Sequence, residues 1–416
     1  MSRLSNVPRE AKLLAAALLL LKGYKQTDIA KALGVTEPTI THWIQGGRDR
    51  YWRVGAKRVG PALEAASPAL KRQAQSLMHR PAVSTPELMR LAGAPRRHVL
   101  SIDVAPTHWD ECRNRAKRKL GTADAANNAW RAWLAEFAGF AAPRVRDLMA
   151  TGKTWGVTSG CQVDAVIDAI AALHVRPRRG VISIPLCGNP VDAHALADSS
   201  THLAVRLERA LTRRVLKPLS LALVPALIPG HLDRTSVATI WDYIAASSPA
   251  YCRIFGTDHL PPGLGFAAPR APALVKTLNG VLTGVSRAGQ PSESSHRSRA
   301  TNGSNGQDAT QPYVGEIGGV GLPRQGENVD PNLEQRWTGI SRDDLFACAA
   351  RAAERKPSAV GVVLVASGSD HADCVVEAVR LGYVSHLILD ESLNCELVRR
   401  VGASSWANPK SAGDRE

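Results

Sequence analysis

The stretch Gln26–Gln45 constrains the fold of this chain most, because its residues fit two short helices separated by a tight turn. Apolar side chains recur through it at helical spacing, and Gly34 lies at the break between the two helices. Thr36 is placed to cap the second helix, and Pro38 falls in its first turn, where a missing N–H costs little. The pattern predicts a helix-turn-helix. A plain helical hairpin, which has the same apolar pattern, is the alternative.

The second predicted helix presents short polar side chains that can reach base edges in a DNA groove. The basic charge is concentrated around the same motif, since residues 1–120 contain 22 Lys and Arg against 9 Asp and Glu, whereas the remainder has 30 against 28. Neutralisation of DNA phosphates requires such an excess, although a solvated basic face has the same composition. The predicted DNA contacts are Gln26, Thr36, Glu37, Thr39, Thr41, His42, Gln45 and Arg48.

Shifts in composition predict the order of domains. The predicted segments are a helix-turn-helix domain over 1–60, a connector over 61–110, an α/β domain over 111–401 and a flexible tail over 402–416. Ser84–Val99 has a capping-box-like start and a glycine break, so a degenerate second helix-turn-helix is the alternative for part of the connector. The segment 286–312 is nearly empty of apolar residues, which predicts a disordered insertion within the α/β domain.

Strand-like and helix-like segments alternate from about Trp130 onward, which predicts a mostly parallel sheet covered by helices. Ala359–Ala366 is a continuous apolar run, typical of a strand that is buried on both faces. The other predicted strands are Val99–Val104, Thr154–Val157, Val181–Leu186, Leu219–Val224 and Ser385–Leu389. The predicted fold class is therefore α/β, with an N-terminal helix-turn-helix domain.

The seven cysteines are scattered, odd in number and contain no C-x-x-C pair, which predicts reduced thiols in a cytoplasmic protein. His108, Asp110 and Cys112 lie close in sequence, but no second group of ligands stands at a recognised spacing. No metal or other cofactor is predicted on this basis. No segment is long and apolar enough to span a membrane, so a membrane partner is not expected.

Ligands of open α/β sheets bind beyond the carboxyl ends of the strands, where loops and helix N-termini supply N–H groups. Three stretches fit that description: Gly156–Gln162, Leu186–Pro190 and Ala366–His371. Their small residues let a ligand approach the backbone, although ordinary turns use the same residues. Cys161 stands beside the first loop; a passive small side chain is favoured over a nucleophile, because no histidine base can be assigned to it.

Together these pieces resemble the SorC family of bacterial sugar-responsive transcriptional regulators. Tyr24–Gln45 looks like the DNA-reading motif of that family, and WGVTSGCQVDAVIDAI at Trp155–Ile170 resembles the first strand, loop and helix of its effector domain. YVGEI at Tyr313–Ile317 is similar to a later element, and Ile340–Val398 resembles the closing segment almost element by element.

The resemblance implies a DNA reader joined to a Rossmann-like, mostly parallel domain of the sugar-phosphate-isomerase type that acts as a sensor, and dimers or tetramers on operator DNA. His371 stands where the family usually has a lysine near the effector phosphate, and Glu316 replaces an aspartate. Glu37 and Pro38 replace polar or basic residues of the recognition helix. The predicted effector-binding residues are Thr158, Ser159, Gly160, Cys161, Gln162, Gly188, Asn189, Glu316, Ser367, Gly368, His371 and Asp390.

The favoured hypothesis is a cytoplasmic, non-enzymatic regulator whose partners are operator DNA and a small carbohydrate or related metabolite. The first alternative is a sugar-phosphate isomerase or deaminase with an appended DNA-binding domain. That enzyme would need an acid and a base, for which Glu316, His371 and Asp390 are the candidates. The second alternative is a nucleoid-associated or plasmid-maintenance DNA binder with a vestigial pocket.

Overall fold

The chain divides into two compact units, Met1–Ala82 and Val83–Glu416. The computed structural model describes residues 12–16, 26–33, 35–45, 83–94, 98–110, 112, 123–173, 180–189, 199–212, 218–229, 231–257, 260, 272–287, 313–327, 331–356 and 358–407. The predictions for residues 61–82, 288–312 and 408–416 lie outside these ranges.

The first unit contains helix α1 (Gln26–Leu33) and helix α2 (Glu37–Gln45), joined by a short turn. Ile29 and Leu33 of α1 and Ile40 of α2 are fully buried, because their helical spacing places them on the facing sides of the two helices. The helix-turn-helix predicted from the sequence is thus present in the described part of this unit.

The described residues of the second unit form an eight-stranded sheet. Its strands are β1 (Ser101–Ala105), β2 (Thr154–Val157), β3 (Ile182–Pro185), β4 (Gly280–Arg287), β5 (Tyr313–Ile317), β6 (Val320–Pro323), β7 (Gly361–Ala366) and β8 (His386–Asp390). The order β1-β8-β7-β4-β2-β3 is parallel throughout, whereas β5 and β6 extend β4 as an antiparallel hairpin. The predicted α/β class with a mostly parallel sheet is confirmed.

Helices cover both faces of this sheet. They are α3 (Thr85–Ala92), α4 (Ala123–Leu148), α5 (Cys161–Ala172), α6 (Ser200–Thr212), α7 (Arg234–Ser247), α8 (Pro249–Phe255), α9 (Pro331–Arg336), α10 (Arg342–Ala353), α11 (Ala372–Arg380) and α12 (Glu391–Ala407). Successive residues of β7 point to opposite faces, so Val362 and Leu364 join one core while Val363 and Val365 join the other. Among the described helices, none combines the length and apolarity that crossing a bilayer requires.

Strand β4 lies between β2 and β7 at the centre of the sheet, yet it is absent from the predicted strands. Gly280 and Gly284 interrupt its apolar run, and glycine has low strand propensity. Gly280 is required by packing, because a Cβ atom there would lie 2.4 Å from the Trp155 ring. The predicted disordered insertion begins too early, since Ser286 and Arg287 are the last residues of β4.

The predicted strand Leu219–Val224 is wrong. The Val224 N–H donates to the Leu221 carbonyl at 2.9 Å, which closes a turn in the middle of the segment. Pro225 follows directly and has no N–H for a ladder. Among the described residues, the β-type pairing of this stretch is limited to an isolated bridge between Asn189 and Pro225.

Two predicted domain boundaries differ from the structure. Strand β1 and helix α3 fall within the predicted connector 61–110, but β1 pairs with β8 and the Val83 N–H donates to Asn394 Oδ1 of α12 at 2.9 Å. The buried face of α3 packs on α11 and α12, which favours a connector helix over a second helix-turn-helix. The predicted tail also begins too early, because α12 continues to Ala407.

His386 at the start of β8 makes stability depend on pH. Burial lowers the pKa of His386, although the bond to the Val360 carbonyl acts in the opposite direction. Between the lowered pKa of the folded chain and the ordinary value of about 6.5, His386 therefore binds a proton more readily in the unfolded chain than in the folded one. The stability that depends on neutral His386 is present above about pH 6.5 and is lost as the pH falls toward the lowered pKa of the folded chain.

We predict that the free energy of unfolding decreases between about pH 7.5 and about pH 5.5, and that His386→Gln removes this part of the dependence. Urea unfolding at each pH measures both quantities. His231→Gln, which changes an exposed histidine, is the control. A pH dependence that is identical in His386→Gln and wild type would contradict this assignment.

Candidate functional site

The start of α2 is fixed by backbone hydrogen bonds. The Ile40 N–H donates to the Thr36 carbonyl at 3.2 Å, so Thr36 occupies the capping position that the sequence predicts. Its Oγ1 lies 2.8 Å from Oγ1 of Thr39. Pro38 is the second residue of α2, where it breaks no helical hydrogen bond.

Two of the predicted DNA contacts are bonded to each other. The Thr41 hydroxyl donates to Gln26 Oε1 at 2.9 Å and also lies 3.2 Å from the Glu37 carbonyl. This bond joins the first residue of α1 to the middle of α2. Gln26 and Thr41 therefore stabilise the angle between the two helices in this structure.

The other described polar residues of the motif lie at the N-terminal end of α2. Thr36, Glu37 and Pro38 are exposed and Thr39 is half-buried. Recognition helices contact base edges with this end, so it is the part of the motif that is best placed to enter a groove. The side chains of His42 and Gln45, and all of Arg48, lie outside the described residues.

The second candidate site lies at the carboxyl ends of the parallel strands. Strands β2 and β4 are neighbours, and the chain continues from β2 to β3 on one side but from β4 to the β5–β6 hairpin and β7 on the other. Such a switch point leaves a crevice between the strand-end loops, where ligands of open sheets bind. The three predicted loops follow β2, β3 and β7, and they all reach this edge.

The loop after β2 is anchored to the central strand. The fully buried Thr158 hydroxyl donates to Thr283 Oγ1 of β4 at 2.9 Å. Gly160 then adopts a φ of 145°, which favours glycine, and leaves α5 without a side-chain cap. Cys161, the first residue of α5, is exposed. The first turn of α5 thus has backbone N–H groups that a ligand can use.

Gln162 connects this loop to the loop after β7. Its Nε2 donates to Ser367 Oγ at 2.6 Å. Since β4 lies between β2 and β7, this bond joins loops that follow strands on opposite sides of β4. Its Oε1 is buried and has no hydrogen-bond partner in the structure. Reversal of the amide would exchange the two atoms, so in either orientation one polar atom of Gln162 is left for a ligand.

The loop after β3 is held by the turn that replaces the predicted strand. The Asn189 N–H donates to the Val224 carbonyl, and the Ala226 N–H donates to the Asn189 carbonyl, both at 2.7 Å. Gly188 is required here, because a Cβ atom would lie 2.4 Å from the Val224 oxygen. Asn189 Nδ2 donates to the Ala222 carbonyl at 2.8 Å, while Oδ1 is buried without a partner.

The β5–β6 hairpin, which contains Glu316, also reaches this crevice. Cys187, which follows β3, lies there as well. Glu316 is buried, and Cys187 Sγ lies 3.8 Å from Ser159 Oγ. Burial raises the pKa of the Cys187 thiol, and the negative charge of Glu316 raises it further. In the hairpin turn, Gly318 has a φ of 58°, and a Cβ atom there would lie 2.7 Å from Cγ2 of Thr158.

Three residues of this crevice are missing from the prediction: Thr283, Cys187 and Gly318. Thr283 could have been found from the Thr-Gly pair inside the apolar run of β4, which resembles the Thr-Ser-Gly sequence after β2. Cys187 lies inside a predicted loop, but nothing in the loop sequence marks its side chain as part of the site. No local signal marks Gly318, because its role depends on the distant Thr158.

Asp390 is a structural residue here. Its Oδ1 accepts N–H groups of Gly368 at 2.9 Å and Leu393 at 3.0 Å, and its Oδ2 accepts the N–H of Trp109 at 2.9 Å. Burial raises the pKa of Asp390, while these three bonds act in the opposite direction. The carboxylate therefore joins three segments and is not presented to a ligand.

His371 and Trp109 flank the loop after β7. His371 Nδ1 lies 2.6 Å from the Ser367 carbonyl and 3.3 Å from Asp370 Oδ1. A Cβ atom on Gly368 would lie 2.8 Å from Cδ1 of Trp109, whose ring centroid lies 4.6 Å from that of Trp130. The loop is thus held between a histidine and a group of indole rings that pack against each other.

The part of the chain that the structure describes has no group of three or more His, Cys, Asp or Glu side chains arranged to hold a metal ion.

The comparisons with known proteins agree with this architecture. Residues 7–51 match the Homeodomain-like domain family HTH_23. The structure is similar to the full-length sorbitol operon regulator SorC from Klebsiella pneumoniae, with a TM-score of 0.50 and 16% identity over 94% of this chain and 100% of that one. No curated protein matches the sequence.

Two other solved structures are similar to part of this chain. A DeoR family transcriptional regulator from Listeria monocytogenes has a TM-score of 0.47 and 17% identity, over 75% of this chain and 97% of that one. A transcriptional regulator from Streptococcus pneumoniae has a TM-score of 0.48 and 16% identity, over 76% and 96%. The chain thus combines a helix-turn-helix unit with an α/β domain, the fold seen in the SorC structure. In particular, the resemblance to SorC that the sequence indicates is confirmed at the level of the fold.

We predict that Asp390→Ala lowers the free energy of unfolding by about 3 kcal/mol, because three backbone N–H groups lose their acceptor. Urea unfolding monitored by circular dichroism measures the change. Asp242→Ala, which removes an exposed carboxylate of α7, should cost less than about 0.5 kcal/mol. Equal effects of the two substitutions would show that the Asp390 bonds contribute little.

Proposed function

We propose that this protein is a DNA-binding transcriptional regulator whose operator affinity is set by a small carbohydrate or related metabolite. The observation that carries the proposal is the combination of two sites on one chain. One is the matched helix-turn-helix, and the other is a switch-point crevice with unpartnered polar atoms of Gln162 and Asn189. The similar Klebsiella protein, a sorbitol operon regulator, supports the same pairing of functions.

The DNA-binding part of the proposal rests on shape and charge. The N-terminal end of α2 presents Thr36, Glu37 and Thr39, and the basic excess of the chain lies in residues 1–120. Basic residues would supply affinity for any DNA, and the polar residues of α2 would select the sequence. Dimers or tetramers would allow two motifs to contact a palindromic operator in the cytoplasm.

The effector part rests on the crevice. Gln162, Ser367 and Thr158 connect loops from both halves of the sheet, so a ligand there would favour one arrangement of these loops. Such a preference changes operator affinity if the arrangement also affects the DNA-binding unit. Coupling of this kind is typically worth about 1–3 kcal/mol.

A non-enzymatic role is part of the proposal. The isomerase or deaminase alternative needs a positioned acid and base, and Asp390 is one of its three candidates. Both oxygens of Asp390 accept backbone N–H groups, so this carboxylate is a poor proton-transfer group.

The test is binding of the full-length protein to its own upstream DNA at fixed salt, with and without a panel of sugars, polyols and their phosphates. Specific binding that one compound changes several-fold is expected. The absence of any preference over random DNA would overturn the regulator assignment. Specific binding that no compound alters would favour the vestigial-pocket alternative.

We predict that Thr39→Ala weakens specific DNA binding by about 1–3 kcal/mol and leaves binding to random DNA unchanged, because a base contact adds only sequence preference. Fluorescence anisotropy with both DNAs measures the two affinities. Thr235→Ala, which changes an exposed threonine of α7, should alter neither. A parallel loss on both DNAs would indicate damage to the motif and no base contact.

We predict that Gln162→Ala preserves operator affinity but reduces the response to the effector at least ten-fold in effective concentration, because the amide would no longer bond the ligand. The measurement is the same anisotropy titration with increasing effector. Gln325→Ala, at an exposed glutamine after β6, is the matched control. An unchanged response in Gln162→Ala would place the effector elsewhere.

A further inference from the structure

The chain enters the larger unit at Val83, directly after Ala82, the last residue of the helix-turn-helix unit. Val83 is buried, and its backbone N–H donates to Oδ1 of Asn394 at 2.9 Å. Asn394 is the fourth residue of α12, and its side chain is fully buried. The place where the chain passes from one unit into the other is therefore fixed to the start of α12 by a hydrogen bond.

This bond also determines the orientation of the Asn394 amide. Its Nδ2 is buried and has no hydrogen-bond partner among the described residues. Reversal of the amide would turn Nδ2 toward the Val83 N–H, so two donors would face each other and the bond would be lost. A buried amide with one unsatisfied group lowers stability, and an apolar side chain of similar size would avoid that cost. The amide thus serves to position Val83.

The start of α12 is bound to the loop after β7, which is one of the three loops of the crevice. Oδ1 of Asp390 accepts the N–H of Gly368 in that loop at 2.9 Å and the N–H of Leu393 at 3.0 Å. Leu393 directly precedes Asn394 in α12. The crevice loop and the first turn of α12 therefore share one acceptor atom, and the loop also packs against this helix.

Helix α3, which follows Val83, packs on both α11 and α12. Its buried residues Leu88 and Met89 belong to the same apolar core as Val375 of α11 and Leu397 of α12. Close-packed cores transmit small displacements, because they contain few voids that could absorb them. A shift of α12 therefore changes the position of α3 and of the chain that leads into it.

We propose that Asn394 is a positioning residue that transmits the occupancy of the crevice to the segment leading into the helix-turn-helix unit. This inference rests on the proposed function, because it needs an effector in the crevice and a DNA-binding unit that responds to it. A ligand that displaces the loop after β7 shifts the start of α12, and Asn394 passes that shift to Val83. The path consists of Gln162, Ser367, Gly368, Asp390, Leu393, Asn394 and Val83.

The test is a thermodynamic cycle on the full-length protein with its own upstream DNA and a panel of fructose, glucose, glucitol and their 6-phosphates. Fluorescence anisotropy gives the DNA affinity with and without each compound, and isothermal titration calorimetry gives the affinity for the compound with and without DNA. The coupling factor is the ratio of the two DNA affinities, and linkage requires the same factor from both directions. With one compound, we expect a wild-type factor of about 5 to 150.

Two variants remove the acceptor of the Val83 N–H. Asn394→Ala and Asn394→Leu should both reduce the coupling factor to less than about two, while each variant binds DNA alone and the compound alone within about three-fold of the wild type. General damage to the fold would weaken the separate affinities as well. Asn394→Leu keeps the side-chain volume, so a cavity cannot explain its effect. Asn394→Asp retains an oxygen acceptor and should restore most of the coupling.

Asn279→Ala is the matched control. Oδ1 of Asn279 accepts the N–H groups of Lys153 and Thr154, both at 2.9 Å, at the amino ends of β2 and β4. This substitution likewise removes an acceptor of backbone N–H groups from the larger unit, but it leaves the path through α12 intact. The coupling factor of Asn279→Ala should equal that of the wild type.

A wild-type coupling factor in folded Asn394→Ala and Asn394→Leu would overturn the proposal, because the coupling would then bypass this residue. An equal loss in Asn279→Ala would also overturn it, because the loss would reflect general destabilisation. If no compound of the panel changes specific DNA binding by the wild type, the effector part of the proposed function fails and this inference fails with it. Compound-dependent DNA binding that survives both substitutions defeats only this inference.

Hydrogen exchange of the wild-type protein supplies a measurement that needs no variant, and it decides the matter if the substitutions at Asn394 prevent folding. Mass spectrometry follows the peptides that cover residues 83–94 and 368–371. We expect the compound that alters DNA binding to change the exchange rates of both peptides together, because one path of hydrogen bonds joins them. A change at 368–371 with none at 83–94 would overturn the proposal.

Discussion

The pairing of β4 with both β2 and β7 is the interaction on which the rest of the α/β unit depends. Strands β2 and β3 lie on one side of it, and β7, β8 and β1 lie on the other. Backbone hydrogen bonds join β4 to β2 on one side and to β7 on the other, so this strand links the two halves. Because the halves meet at β4, their loops meet there as well, and the crevice is a direct result of the strand order.

Two buried carboxylates show how burial is compensated in different ways. Asp390 accepts three backbone N–H groups, so its charge is satisfied within the fold and serves to join β8 to two loops. Glu316 lies on the hairpin that extends β4, where its charge acts on Cys187 at the crevice. The desolvation of a carboxylate is costly in both cases.

The elements that the sequence predicts well are those with an uninterrupted local pattern. The apolar run of β7 and the Gly-Cys-Gln sequence at the start of α5 fall where they were expected. The local pattern does not predict β4, because Gly280 and Gly284 interrupt its apolar run. It wrongly predicts a strand at Leu219–Val224, because an apolar turn has the same composition as a strand. The role of Asp390 needs three distant N–H groups, and no local pattern contains them.

Trp109 has a consequence for how this protein can be observed. Its indole ring packs beside Gly368 in the loop after β7, and it also contacts the rings of Trp130 and Trp133. Indole emission depends on the polarity and the neighbours of the ring. A rearrangement of that loop therefore changes the fluorescence of this group of tryptophans, and the unlabelled chain carries its own optical reporter of events in the crevice.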